Sequence, residues 1–198
     1  DMDKDGDIDL VITAQDDDRV IWYENDGNQS FTKNTVHTIS GGNLEYVDAI
    51  DVDQDGDMDI LLADRGNDNV VWYENNGSQT FAPAKTIGTA DPYHVIGEDL
   101  DGDGDIDVIA PSASTDDKIL WFENNGSESF TAHTIATSVN GGMMGVYTID
   151  LDGDGDIDVL SASEFDDKIA WYENNGSQSF TAHTIASDAD AARKVYAI

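Results

Sequence analysis

Hydrophobic positions in this chain come in short alternating runs that recur about every fifty residues. In the last period, apolar residues alternate with polar or small ones over residues 145–149, 158–163, 168–173 and 180–185. Alternation of this length is typical of β-strands with one buried face. No window has the spacing of an amphipathic helix, so the pattern predicts an all-β fold with four short strands in each period.

Two motifs mark the repeat and keep the same phase. The segment Asp150-Leu-Asp-Gly-Asp-Gly-Asp-Ile-Asp158 has counterparts that begin at Asp1, Asp51 and Asp99. A Trp-Tyr-Glu-Asn motif, with Phe for Tyr in one copy, follows each of them at Trp22, Trp72, Trp121 and Trp171. We number units 1 to 4 from residues 1, 51, 99 and 150 and interpret residues 1–198 as a single repeat domain.

Turn signals separate the predicted strands within each unit. Asn174-Asn175-Gly176 predicts a hairpin between the third and fourth strands, because Asn and Gly tolerate positive φ. Asp166-Asp167 predicts the turn between the second and third strands. Repeated units of four antiparallel strands are typical of propeller blades, so the sequence predicts a β-propeller built from four-stranded antiparallel blades.

The pattern at the two ends of the chain is compatible with more than one way of closing such a ring. Unit 1 begins at its Asp loop without a preceding strand, and residues 193–198 form a predicted strand after unit 4. That strand could complete the blade of unit 1 and close a four-bladed ring, which is the arrangement we favour. Alternatively, two chains could build an eight-bladed ring, or the chain could belong to a larger ring or filament.

The charge of the chain restricts its partners. Asp and Glu number 42 against 9 Lys and Arg, which gives a formal charge of −33. Such a surface argues against binding nucleic acid, whose phosphates require Lys and Arg. No apolar stretch has the length of a membrane helix, so membrane insertion is not expected. Acidity that is clustered in this way indicates neutralisation by bound metal ions.

The Asp loops suit calcium in the type and spacing of their oxygens. Calcium takes about six to eight oxygen ligands, whereas magnesium retains several waters and fits such a dense cage less well. Positions 1, 3 and 5 supply carboxylates, and the glycine at position 6 permits a sharp turn. Position 7 is expected to give its backbone carbonyl with its side chain outward, and position 9 can add a further carboxylate. We predict about four Ca²⁺ ions, one per unit, at Asp1, Asp3, Asp5, Asp7, Asp9, Asp51, Asp53, Asp55, Asp57, Asp59, Asp99, Asp101, Asp103, Asp105, Asp107, Asp150, Asp152, Asp154, Asp156 and Asp158.

These loops, together with the strand that follows each of them and the Trp-Tyr-Glu-Asn-Asn-Gly turns, resemble the FG-GAP family, also called VCBS repeats. The resemblance covers essentially the whole chain. It implies a β-propeller with calcium between the first and second strands of each blade. It also implies an extracellular or cell-surface setting, a role in adhesion or ligand recognition, and in some members attachment to an enzyme.

We therefore expect an extracellular calcium-binding module that recognises a glycan or a protein. Two alternatives remain: a structural subunit that self-assembles into a ring or filament, and a non-catalytic accessory domain of a secreted enzyme. The chain has no Cys, no Gly-x-Ser-x-Gly motif and no phosphate loop, so it is not expected to be an enzyme. No cofactor other than calcium is indicated.

Other repeated residues are expected to be structural. We interpret the four Trp as packing between neighbouring blades, with stacking on sugar rings as the alternative. His37, His133 and His183 recur near the end of the fourth strand, with Lys85 in that place in unit 2. The loops that vary between units are candidates for a ligand surface, and they contain Arg65, Tyr93, His94, Met143, Met144 and Arg193.

Overall fold

The computed structural model of the protein describes residues 1–112, 117–137, 139, 142 and 144–198. This part of the chain is all-β, with 3-10 turns at Gln15–Asp17 and Arg65–Asn67 and no α-helix. The strands are β1 (Leu10–Ala14), β2 (Arg19–Asn25), β3 (Phe31–Thr38), β4 (Leu44–Ile50), β5 (Asp59–Asp64), β6 (Asn69–Tyr73), β7 (Lys85–Thr89), β8 (Ile96–Glu98), β9 (Asp107–Ser112), β10 (Lys118–Asn124), β11 (Phe130–Thr137), β12 (Met144–Ile149), β13 (Asp158–Ser163), β14 (Lys168–Asn174) and β15 (Phe180–Ala186).

The strands form separate antiparallel sheets in which neighbours in sequence are neighbours in space. Sheet 1 contains β1 to β3, sheet 2 contains β4 to β7, sheet 3 contains β8 to β11 and sheet 4 contains β12 to β15. In sheets 2 to 4 the strand before each Asp loop is the first strand and pairs with the strand after the loop. The prediction of an all-β fold with repeated antiparallel strands is confirmed.

Apolar side chains fill the space between consecutive sheets. One cluster joins sheets 1 and 2 around Trp22, a second joins sheets 2 and 3 around Trp72, and a third joins sheets 3 and 4 around Trp121. The strand after the Asp loop is buried at every residue in sheets 2 to 4. Burial of apolar area is the main stabilising term, so each sheet depends chiefly on its neighbours, as in other repeat proteins.

The two ends of the sheets carry different structures. Because each strand runs antiparallel to the next, the Asp loops lie at the same end as the Asn-Gly hairpins that follow the third strands. The turns between second and third strands lie at the opposite end, together with the connections between sheets. Those turns end on a left-handed aspartate, such as Asp68 (φ 55°) and Asp167 (φ 52°), which is a conformation that Asp tolerates.

One predicted strand is wrong. Residues 193–198 are not part of a strand, so sheet 1 has three strands and β1 lies at its edge. The segment instead passes over β12, where the Arg193 carbonyl oxygen lies 2.5 Å from the position that a Cβ on Gly145 would occupy. The Tyr196 ring also lies 4.7 Å from the Tyr147 ring. Glycine at 145 permits this close approach, and contacts with sheet 4 replace the expected pairing with sheet 1.

Candidate metal loops and ligand pocket

Each Asp loop is closed by hydrogen bonds between its own carboxylates and its backbone N–H groups. In unit 4, Asp150 at position 1 accepts from the N–H of Gly155 at 3.1 Å. Asp152 at position 3 accepts from the N–H of Asp154 at 3.2 Å, and Asp154 at position 5 accepts from that of Asp156 at 3.0 Å. Units 1 to 3 have the corresponding bonds. The backbone therefore curls around the alternate carboxylates.

Two positions in each loop require a left-handed backbone. Position 6 is glycine in every unit, with φ between 91° and 99°. Position 4 is also left-handed; it is glycine in units 3 and 4 but Lys4 (φ 62°) and Gln54 (φ 59°) in units 1 and 2. Side chains other than those of Gly, Asn and Asp disfavour this region, so the first two loops hold backbone strain that the last two avoid.

Position 9 ties the loop to the rest of its unit. The Asp59 carboxylate is fully buried and accepts hydrogen bonds from the N–H groups of Val52 at 3.0 Å and Asn75 at 2.7 Å. The same pair of bonds forms at Asp9, Asp107 and Asp158. A carboxylate held by two backbone donors has a fixed orientation, so position 9 is a structural link and could also serve as a preorganised oxygen ligand.

The predicted ligands come together as compact carboxylate clusters. In units 2, 3 and 4 the carboxylates at positions 1, 3 and 9 have oxygens within 4.8 Å of one another, and in unit 1 positions 1, 3 and 5 do. The carboxylates at position 7 lie outside all of these clusters, and so do those at position 5 in units 2 to 4 and Asp9 in unit 1. Acidic groups in each repeat are thus arranged so that they could hold a metal ion. The members of these clusters are Asp1, Asp3 and Asp5; Asp51, Asp53 and Asp59; Asp99, Asp101 and Asp107; and Asp150, Asp152 and Asp158.

The electrostatics of the clusters favour a cation. Burial raises the pKa of Asp59 to about 6 and that of Asp107 to about 7, because desolvation of the carboxylate outweighs the hydrogen bonds that stabilise it. Burial also raises the pKa of the position 3 carboxyls, and repulsion from neighbouring carboxylates adds to the effect. A bound cation would favour the ionised form of each of these groups and so reverse the shift.

Position 7 differs from the sequence-based expectation. Its side chain does not point outward but lies against the hairpin glycine of the same unit, as Asp57 does against Gly77. The same contact occurs between Asp7, Asp105 and Asp156 and the hairpin glycines of their units. A Cβ on any of these glycines would clash with the carboxylate, so the hairpin glycine is needed for space as well as for its turn. The position 7 carbonyl stays a predicted ligand.

A repeated asparagine that sequence reasoning treated only as a turn residue links neighbouring units. The Asn75 side chain donates to the Met58 carbonyl in its own unit at 3.1 Å and to the Met2 carbonyl of unit 1 at 3.0 Å. Asn174 makes the equivalent bond to Leu100 of unit 3 at 3.1 Å. The presence of this Asn in all four Trp-Tyr-Glu-Asn motifs is the sequence feature that could have indicated this structural role.

The repeated aromatic and basic residues have structural contacts. Trp22, Trp72 and Trp121 are buried between sheets, which confirms the packing interpretation for these three; Trp171 is partly exposed. His133 stacks on Trp121 with ring centroids 4.6 Å apart, and its Nε2 lies 2.7 Å from the Glu123 carboxylate. His183 and Lys85 occupy the same place in their units and meet the matching glutamate.

His37 does not belong to this set. The partner of Trp22 across the strands is Asn34, whereas His37 lies opposite Val20. The His37 ring instead lies 5.3 Å from that of Tyr73 in the next sheet. His37 lies six residues after the Phe that begins its strand, whereas His133 and His183 lie three residues after theirs, so grouping it with them was wrong.

The candidate ligand residues gather at the end of the sheets opposite the Asp loops. Two adjoining pockets of about 320 Å³ and about 270 Å³ lie there, at the entry to the first strands of sheets 2, 3 and 4. Tyr93, His94 and Arg193, which were predicted from loop variability, line the smaller pocket. The pockets are lined together by Glu45, Tyr46, Tyr93, His94, Ile96, Gly145, Val146, Tyr147, Arg193, Lys194, Val195 and Tyr196.

His94 is the buried polar group of these pockets. Its ring lies 3.8 Å from the Tyr46 ring, and its Nδ1 has no hydrogen-bond partner among the described residues. Burial, helped by the charge of Lys194, lowers the pKa of His94 to about 4, so the ring is neutral near pH 7. A neutral imidazole nitrogen without a partner could either donate to or accept from a ligand.

Charged side chains border the pockets. Arg65 lies over the Tyr93 ring at 4.1 Å and pairs with Asp91 at 2.9 Å. Arg193 pairs with Glu164 at 2.7 Å. Of the remaining candidates, Met143 lies outside the described residues, and Met144 begins β12. Tyr46, Tyr147, Lys194 and Tyr196 were missed because they lie outside the two motifs that mark the repeat, although Tyr147 and Tyr196 share the pattern Val-Tyr-x-Ile.

Comparison with known proteins identifies the class of protein that this fold and these loops define. The family model for the FG-GAP-like repeat matches residues 1–62, 51–110, 99–161 and 150–198, which together span the chain. The chain therefore belongs to the FG-GAP-like repeat family. No curated protein matches it.

Among solved structures, the chain is similar to a lectin of Agrocybe aegerita that is described as specifically recognising non-reducing terminal N-acetylglucosamine. The TM-score is 0.60 and the sequence identity is 21% over 88% of this chain and 48% of the lectin chain. The chain thus spans about half the length of that relative. At this identity the similarity shows a shared fold. Among the described residues, no helix is long and apolar enough to span a membrane.

Proposed function

We propose that this chain is an extracellular calcium-binding module of the β-propeller type that recognises a ligand without catalysis. In this arrangement calcium holds the Asp loops at one end of the sheets, and the ligand binds in the pockets at the other end. The observation that carries the proposal is the repetition of a carboxylate cluster, in the same loop, in every unit. Without bound ions, the carboxylates of each Asp loop would repel one another, and this repulsion would destabilise all four units.

The donor set supports calcium over other metals. Each cluster offers oxygen atoms only, with neither the imidazole nor the thiolate that zinc prefers. In units 2 to 4 the carboxylate at position 9 lies close to those at positions 1 and 3, which offers calcium several oxygen ligands from one loop. The Lys4 ammonium pairs with Asp57 at position 7, at 2.5 Å, rather than with a member of a cluster.

Propeller geometry is supported by the order of the sheets. Each sheet is an antiparallel meander, and each packs against the next through an apolar cluster that contains a Trp from the third strand of the unit. Sheets that stack in this way with the native twist arrange themselves around an axis, with their first strands innermost. The pockets formed by the starts of β4, β8 and β12 fit a position close to that axis.

A glycan is the ligand that the pockets suit best. Tyr rings offer flat apolar faces for the C–H groups of a sugar, while Lys194, Arg193 and the unpartnered Nδ1 of His94 offer hydrogen bonds for hydroxyl groups. The similarity to a lectin fits this choice. A peptide or protein ligand is the alternative, since the same residues would also accept a carboxylate.

A glycan array probed in millimolar calcium tests this function. We expect selective binding that Lys194→Ala and Tyr196→Ala each reduce at least tenfold, because each removes one pocket contact from an exposed side chain. Ile198→Ala, which truncates an exposed apolar residue outside the pockets, is the matched control and should leave binding unchanged. Absence of binding to any glycan, or binding that the pocket variants leave intact, would refute the glycan proposal.

A further inference from the structure

The interface between units 2 and 3 differs from its two neighbours at one hairpin residue. Gln79 of unit 2 and Gln178 of unit 4 hold the same place in their hairpins, and each donates a side-chain N–H to position 3 of the preceding loop. The acceptors are Asp3 at 3.4 Å and Asp101 at 3.1 Å. Unit 3 has Glu128 in this place. An ionised carboxylate has no hydrogen to donate, so this residue cannot make the corresponding bond.

Carboxylates from both units meet at this interface instead. Asp53 at position 3 of loop 2, Glu74 of unit 2 and Glu128 of unit 3 have oxygens within 4.8 Å of one another. The Lys85 ammonium lies 2.6 Å from an oxygen of each glutamate. Three carboxylates and one ammonium leave two negative charges, which one divalent cation would neutralise. Without such an ion the remaining charges repel one another.

This group of carboxylates adjoins the proposed calcium ligands of unit 2. Asp53 belongs to it and also to the loop cluster that includes Asp51 and Asp59. A glutamate from unit 3 therefore lies beside a metal loop of unit 2. In the part of the chain that the structure describes, no other cluster of this kind contains a glutamate. The arrangement is thus specific to the interface between units 2 and 3.

Two buried atoms at the same site have no hydrogen-bond partner among the described residues. One is Oδ1 of Asp51, whereas in the other three loops the same oxygen accepts from a backbone N–H of its loop at 2.8 to 3.1 Å. The other is Nε1 of Trp72, a residue that is 1% exposed. The indole N–H is unpartnered in every unit, but the unpartnered carboxylate oxygen is specific to loop 2. Burial of such an oxygen is costly, and a cation offsets that cost.

A cavity of about 310 Å³ leaves room at this site for an ion with bound water. It lies between loop 2 and the hairpin of unit 3, and its lining includes Asp53, Trp72 and Glu128. The indole N–H of Trp72 can donate to a water molecule there. Calcium takes about six to eight oxygens in a flexible geometry, so its shell can include a carboxylate from a second unit.

We propose that Glu128 of unit 3 is a calcium ligand of loop 2, so that the ion held by this loop links the two units. It acts together with Asp51, Asp53 and Asp59 of unit 2, and its role rests on the calcium binding proposed above. Affinity for calcium depends on the number of charged ligands. Loop 2 should therefore bind calcium more tightly than loops 1 and 3, which have a glutamine in this place.

Glu128→Gln tests this role, because it restores the residue that units 2 and 4 carry at the same place. Calorimetric titration of the whole metal-free chain with calcium, in competition with a chelator, measures the affinity of each ion. We expect one ion of four to bind at least tenfold more weakly and the other three to bind as in the parent. Asp188→Asn removes one exposed carboxylate outside all clusters and is the matched control, which should leave every affinity unchanged.

Stability measurements separate a calcium ligand from a simple ion-pair partner of Lys85. A ligand stabilises chiefly the calcium-bound chain, so in urea denaturation Glu128→Gln should lose more stability in calcium than in chelator. Equal losses in the two conditions, with four unchanged calcium affinities, would overturn the role of Glu128 and leave the calcium function intact. A parent chain that binds no calcium would refute both.

Discussion

The backbone N–H of Asn75 donates a hydrogen bond to the Asp59 carboxylate at 2.7 Å. This contact joins the hairpin of unit 2 to its Asp loop, and a second bond from Val52 to the same carboxylate closes the loop on itself. Position 9 therefore has a structural role that can be separated from its proposed role in metal binding. Position 5 of the same loop, Asp55, is exposed, and its carboxylate accepts a single hydrogen bond within the loop, from the N–H of Asp57 at 2.8 Å.

Asp59→Ala should destabilise the chain whether or not calcium is present. Removing the carboxylate leaves two buried N–H donors without an acceptor, at a cost of about 1–3 kcal/mol for each group. Asp55→Ala should cost little in chelator and lower stability only in calcium. Urea denaturation of both variants with calcium and with chelator measures the difference. Equal losses in chelator would show that position 9 has no separate structural role.

Stability in chelator should decrease as pH rises from about 4 to about 7. The pKa values of Asp59 and Asp107 are raised in the folded chain to about 6 and about 7, so folding retains protons that the unfolded chain has already released. The stabilisation is thus complete below the unfolded pKa of about 4 and is lost as pH passes through the folded values. Together these groups should change the unfolding free energy by a few kcal/mol.

Denaturation in chelator at pH 4.5 and pH 7.5 measures this effect. Asp59→Asn removes the titrating group at this position and should weaken the dependence of stability on pH. Asp26→Asn, the control, replaces an exposed hairpin carboxylate that belongs to no cluster and should leave that dependence unchanged. In calcium the trend should be reversed, because the ion binds only the ionised carboxylates. A metal-free chain that becomes more stable between these pH values would contradict the account of the buried carboxyls.

Chelation of calcium should greatly lower the melting temperature. An ion that binds only the folded chain stabilises it by about 2.7 kcal/mol per site when its concentration is a hundredfold above the dissociation constant. Small domains have about 5–15 kcal/mol of net stability, so several such sites can decide whether the chain folds. Added monovalent salt should recover only part of the loss, since it screens charge without replacing the ligand shell. Calorimetric melting curves that coincide in calcium and in chelator would make the metal incidental.

Repetition explains why much of the fold was predictable. Each strand of unit 4 other than the terminal one was placed within one residue of its observed bounds, as with Asp158–Ser163. Positions that keep the same type of residue in all four copies are those that the fold constrains, whereas unconstrained positions vary between the copies. The carboxylate clusters that positions 1, 3 and 9 form in units 2 to 4 were indicated for the same reason, because the spacing of the Asp residues recurs in every unit.

The failures lie where repetition gives no information. Residues 193–198 have no following unit for comparison, and their close approach to Gly145 depends on tertiary contacts. Unit 1 has Asn34 in the place of His133 and His183, so the repeat gives no assignment for His37. The direction of the Asp57 side chain depends on the space above Gly77, which no spacing along the sequence reveals. The pocket residue Tyr46 lies on β4 and Lys194 lies after the last strand, so the two meet only in the folded chain.

The number of calcium ions bound per chain tests the central claim most directly. Isothermal titration of metal-free protein with calcium should give four ions per chain, one for each Asp loop. Asp154→Ala should weaken one of the four and leave the distant sites intact, because repeat units couple mainly to their neighbours. Saturation at four ions, with one altered in the variant, is the predicted result; fewer than three ions bound in millimolar calcium would contradict the account.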